Sequence, residues 1–178
     1  MTIEELLDLA ENALKPLGVR PEEGEVYRSP ELAVLLYLVR SVRVNRVPLL
    51  GRALSVCSVV KQPPDVGSGP EGYRALLTRV ARAASSRFSP FQGLSIGLST
   101  IILTDDPITP DDDRDLQAAL EHLPKFRSVL LGAFRVNLDQ QALSLALVRG
   151  PDGLFSEPEV LAETLTPEFR RYVPLIEN

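Results

Sequence analysis

The chain has 178 residues, of which 44% are hydrophobic and 24% charged, with a formal net charge of -5 at pH 7. That balance is too apolar for wholesale disorder, and the length normally makes one domain, here 1–178, around a single sizeable core. The longest apolar run, Leu32 to Val39, falls far short of the roughly 20 residues a membrane-spanning helix needs, so no membrane partner is expected.

Cys57 is the only cysteine and His122 the only histidine. An intramolecular disulfide, an all-cysteine zinc site and a histidine-rich zinc site within one chain are therefore excluded. The first residues, Met1 to Asp8, are acidic where a secretory leader carries positive charge, which leads to an expectation of the cytoplasm.

Taken in chain order, Thr2 and Glu5 fit a capping box, with Thr2 as N-cap and Glu5 at N3. Ile3, Leu6, Leu7, Leu9, Ala10, Ala13 and Leu14 follow with helical period, and Pro16 and Gly18 end the helix. Pro21 to Gly24 reads as a turn. The stretch from Ser29 to Val39 has two readings. Ser29 and Pro30 suit a helix start, whereas Val34 to Val39 suits a buried strand, and the alternation through Val42 and Val44 with Arg43 opposite favours the strand. After a turn at Asn45–Arg46 or Pro48–Gly51, Ala53 to Val60 reads as another strand. Lys61 to Pro70 is a loop dense in turn formers.

Glu71 to Phe88 predicts a helix with Tyr73, Leu76, Leu77, Val80 and Ala84 buried and Arg74, Arg79 and Arg82 mostly on the wet side. Leu94 to Thr104 reads as a central strand. A loop from Asp105 leads into a helix with Thr109 as cap, Pro110 at N1, and Leu116, Ala119, Leu120 and Leu123 buried, ended by Pro124. Val129 to Leu138 and Leu143 to Arg149 read as antiparallel strands joined through Asp139, Gln140 and Gln141. Gly150 to Gly153 is a turn, with short helical signals at Glu157 to Leu165 and from Pro167, before Tyr172 to Ile176. The fold class expected is α+β: an antiparallel or mixed β-sheet with helices packed mainly on one face.

Four patterns carry possible chemistry. Gly93, Ser95 and Gly97 match the nucleophile-elbow spacing, with aspartates and His122 following. That elbow requires a strand before the serine and a helix after it, the reverse of the order here, so small residues easing tight packing is the preferred account. A small serine hydrolase centred on Ser95 is the least favoured function. His122 ends a predicted helix, where the dipole suits it. The aspartates Asp105, Asp106, Asp111 and Asp113 supply the oxygen ligands that magnesium or calcium takes, although their spacing is not that of an EF-hand loop. Helix-start stabilisation and loop solvation account for the same residues. No glycine-rich phosphate loop is present, and no cofactor is expected.

The fourth pattern is charge. Between Arg40 and Arg87 nine basic residues face only Asp65 and Glu71, leaving the rest of the chain strongly acidic. Arg43, Arg46, Arg74, Arg79 and Arg82 are the candidate contacts for a protein or nucleic acid. The negative net charge, the absence of tryptophan and the core positions of Tyr37 and Tyr73 weigh against nucleic acid. The expectation is a non-enzymatic protein-binding or structural adaptor that forms a homo-oligomer or binds another protein, through an edge strand or a helix face.

Overall fold

The computed structural model describes residues 1–28, 31–43, 52–92, 94–123, 127–148 and 154–171. The expected features at Ser29–Pro30, Val44 to Gly51 (Arg46 included), Gly93, Pro124, Arg149 to Gly153 and Tyr172 to Ile176 lie outside the described residues.

Helix α1 spans Ile3–Leu14 and starts at the capping box that its sequence predicts. The Glu5 amide donates to Thr2 Oγ1 at 3.2 Å and the Thr2 amide to Glu5 Oε2 at 2.7 Å. A 3₁₀ turn at Lys15–Leu17 follows, closed by Gly18 at φ 80°, the left-handed conformation that glycine adopts without Cβ strain. Strands β1 (Arg20–Glu23) and β2 (Val26–Arg28) come next, where a turn at Pro21 to Gly24 was expected. Both lie antiparallel to β3 (Glu31–Arg43), whose alternating apolar residues settle the helix-or-strand ambiguity as strand.

Strand β4 (Arg52–Lys61) returns antiparallel to β3. Helix α2 (Pro70–Arg87) then crosses to β5 (Ser95–Leu103), and α3 (Asp112–Glu121) crosses to β6 (Ser128–Asn137). Strands β4, β5 and β6 run parallel, so these are two consecutive crossover units of the kind that place their helices on one face. Strand β7 (Ala142–Leu147) turns back antiparallel through Asp139, Gln140 and Gln141, helix α4 (Glu157–Leu165) follows, and β8 (Arg170–Arg171) pairs parallel with β7. The result is one eight-stranded mixed sheet in the order β1-β3-β4-β5-β6-β7-β8, with β2 also on β3. Strand β8 falls where a second helical signal was expected from Pro167.

The α+β class and mixed sheet stand, but helices cover both faces rather than mainly one. The cause is visible in the central strands, which are apolar on both sides. Leu54, Val56, Val60, Ile96, Leu98 and Ile102 pack with the buried stripes of α2 and α3. Cys57, Val59, Ile101, Leu103, Phe134 and Val136 pack on the other side with Leu6, Ala10 and Leu14 of α1 and Leu161 and Leu165 of α4.

Both sheet edges are blunted against further pairing. One carries Pro21 among Arg20, Glu22 and Glu23. At the other, Asp113 of α3 takes the outward Leu145 amide at 2.9 Å beside the two-residue β8. Among the described residues no helix is long and apolar enough to cross a membrane.

Candidate functional site

The carboxyl ends of β4, β5 and β6 lie side by side, the location where open sheets with parallel strands commonly hold ligands. There the side chain of Arg135, near the carboxyl end of β6, is fully buried. Its Nε donates to Gln62 Oε1 at 3.2 Å. Nη1 donates to Asp112 Oδ2 at 3.1 Å and the Pro107 carbonyl at 3.3 Å, and Nη2 to Thr104 Oγ1 at 3.2 Å. Asp106 Oδ2 lies 3.8 Å from Nη2. The guanidinium also sits over the Tyr73 ring, 5.4 Å from its centroid.

Asp112, itself buried, accepts from the Tyr73 hydroxyl through Oδ1 and from the Thr109 amide at 2.6 Å through Oδ2. Burial, and then this hydrogen bond, hold the Tyr73 phenol well above its ordinary range, with the Arg135 charge acting the other way. Tyr73 is thus a fixed donor. Every guanidinium nitrogen is engaged, so the network ties the 104–112 loop and α3 to the strand ends. A shallow cavity of about 290 Å³ opens at the same strand ends beside the first turn of α1, floored by Leu103, Val136 and Leu138 and rimmed by Lys61, Asp105 and Asp139.

The four aspartates proposed as metal ligands do not converge. Asp105 is exposed and faces Lys61 at 3.9 Å, while Asp106 accepts from Gln62 Nε2 at 3.0 Å. Asp111 pairs with Arg114 at 3.1 Å, and Asp113 accepts from Arg171 at 2.6 Å. Among the described residues no three His, Cys, Asp or Glu side chains are grouped to hold a metal. The helix-start account needs correction as well: the N-cap is Asp111, not Thr109, and Asp112 turns inward because Arg135 and Tyr73 offer it partners.

The basic block is likewise dispersed. Arg40 reaches across the α1/α4 face to Glu157, and Arg87 lies 3.4 Å from Glu22. Arg79, a candidate contact, forms a two-pronged pair with Asp65 at 3.0 and 2.6 Å. That pair holds the Asp65 carboxyl below its usual range. Arg43, Arg74 and Arg82 remain exposed, and Arg43 stands opposite Arg52 in the β3–β4 register. Tertiary contacts therefore divide the sequence block, drawing Arg40, Arg79 and Arg87 into ion pairs with acids elsewhere in the chain.

Ser95 and the aspartates are also kept apart. Ser95 opens β5 and the aspartate loop follows its other end, a separation of roughly 30 Å for nine strand residues at about 3.3 Å each. His122 is the exposed C-cap of α3, its Nδ1 donating to the Ala118 carbonyl at 2.8 Å. Gly97 has a packing role instead: a Cβ there would lie 2.5 Å from the Phe155 ring.

On the α1/α4 face, Cys57 is wholly buried. Burial first, and the Glu157 charge with it, push its thiol from 9.0 up to about 12, so it stays protonated at neutral pH. Because the folded value exceeds the unfolded one, this contribution to stability is complete below about pH 9 and disappears as the pH rises through about 12. Urea titrations over that interval are expected to show an alkaline loss reaching up to roughly 4 kcal/mol at three units of 1.36 kcal/mol. The slope should flatten in Cys57→Ala; an unchanged slope would assign the loss to other groups.

Arg135 and Glu157 carried no site assignment from sequence, whereas Asp112 belonged to the aspartate cluster and Arg40 to the basic block. The available signal was a single arginine inside the apolar run of β6, a position where only a fully partnered charge is tolerated. No protein-family model matches this chain, and neither a curated protein nor a solved structure matches it significantly.

Proposed function

We propose that this is a cytoplasmic, non-enzymatic association protein, acting as a homo-oligomer or on another protein, and that the outward side of α1 and α4 is its docking face. The observation that carries this reading is the charge of that layer. Glu4, Glu5, Asp8 and Glu11 line α1, Glu159 and Glu163 project from the adjoining α4, and Lys15, just past the end of α1, is the lone base in these segments. Such a surface steers a basic partner and selects against acidic ones. In a homo-oligomer, the exposed Arg43, Arg52 and Arg74 of a second copy provide the complementary charge. The dispersal of Ser95, His122 and the aspartates, together with the closed Arg135 network, supports a binding role over catalysis.

Native mass spectrometry of protein purified gently from its own host, at low and at high ionic strength, tests this reading. A defined homo-oligomer or heterocomplex is expected at low salt. Its affinity should fall at least about tenfold in Glu4→Lys/Asp8→Lys/Glu163→Lys, a loss equivalent to about 1.4 kcal/mol. A bare monomer at low salt would overturn the proposal, as would co-purifying nucleic acid held through Arg43, Arg74 and Arg82.

A further inference from the structure

The face of the sheet under α1 and α4 contains a trough of small residues. Ser55 pairs with Gly97, and Cys57 with Ser99, across β4 and β5, and Gly132 stands beside Ser99 in β6. The chain segment that leads into α4 lies in this trough. The Phe155 ring rests on Gly97, and Pro158 Cβ comes within 3.0 Å of where a Gly132 Cβ would be. Glu157, the first residue of α4, is buried, whereas Leu154, Phe155 and Ser156 are only half-buried.

Two features make this segment separable from the rest of the core. Arg40 anchors both of its ends, donating through Nη2 to the Leu154 carbonyl at 3.2 Å and through Nε to Glu157 Oε1. The second carboxylate oxygen, Glu157 Oε2, is buried and has no hydrogen-bond partner among the described residues. A buried charge satisfied on one side only is a weak point in a packed interior, because opening lets water solvate the orphaned oxygen. Cys57, one row further along the trough, lies within the field of Glu157.

We propose that residues 154–158 form a strap latched by Arg40, which opens locally from the sheet and uncovers the trough and Cys57 while the rest of the fold stays intact. Local openings of this kind occur well below the free energy of global unfolding when few buried contacts hold a segment. The strap leads directly into α4, so an open strap would also alter the helix that carries Glu159 and Glu163. The strap does not depend on the docking reading and is tested without any partner.

Cys57 is the built-in reporter, being the only thiol in the chain. Its reaction with an aromatic disulfide reagent at neutral pH is followed in the native protein at increasing, sub-denaturing urea. The expected rate depends only weakly on urea, since a strap exposes little surface. In Arg40→Met and in Phe155→Ala the rate should rise by at least about tenfold, and by more than the accompanying shift in the global unfolding equilibrium accounts for. A wild-type rate whose urea dependence equals that of global unfolding would overturn the proposal, and this measurement stands even where a variant fails to fold. Variant rates that change only in proportion to global stability would overturn it too.

Discussion

Replacing Arg135 by leucine is expected to destabilise the fold by roughly 3–5 kcal/mol, a large share of what holds a domain of this size together. The loss follows from what stays behind rather than from the pair itself. Asp112 would remain a buried carboxylate with Tyr73 and one backbone amide as its partners, while Gln62, Thr104 and the Pro107 carbonyl each lose a donor. Chemical denaturation of the single variant and of Arg135→Leu/Asp112→Leu separates these terms. The double variant should recover part of the loss, because removing both charges eliminates the uncompensated one. Equal stability of Arg135→Leu and wild type would show that the network contributes nothing to the fold.

Gly72→Ala is expected to destabilise by about 1–3 kcal/mol through overpacking, although helix propensity alone predicts a gain of about 1 kcal/mol. Gly72 lies in the first turn of α2, and a Cβ there would fall 2.0 Å from the Gly67 carbonyl oxygen and 2.8 Å from its carbon. Both obstacles are backbone, so the loop between β4 and α2 must shift as a unit. That loop carries buried Val66, whose carbonyl accepts from Gln62 Nε2 at 3.0 Å, and Asp65, which pairs with Arg79. The exposed Ala75→Gly variant serves as control, since the propensity argument applies there unopposed. A thermal midpoint for Gly72→Ala at or above that of wild type would mean that the loop yields freely.

Much of the fold was legible because local chemistry and tertiary demand agree. Thr2 and Glu5 announce the start of α1, and Tyr73, Leu76, Leu77, Val80 and Ala84 mark the buried side of α2, all at 0–1% exposure. The β6–β7 hairpin was visible from two apolar runs around Asp139 to Gln141. The edge strands β1 and β8 were not. Pro21 lacks an amide and its neighbours are charged, so β1 has the composition of a turn, while the β8 region carries a helical signal from Pro167. They are strands only because β3 and β7 supply the hydrogen-bond partners.

The candidate site was less legible, because charges were read by their place along the chain. Arg40 meets Glu157 across 117 positions, Arg87 meets Glu22, and Arg135 gathers partners from the ends of β4 and β5, the loop after β5 and the start of α3. The periodicities, and with them the helices, the central strands and the mixed α+β class, are written in the order of the residues. Periodicity is a local property that burial on one or two faces imposes on neighbouring residues. Three features emerge only in the folded chain: helices cover both faces, Asp112 is a core residue rather than a solvated cap, and members of the basic block pair with distant acids. Charge pairing acts through space over a few ångströms, and the fold alone brings residues so far apart along the chain to that distance.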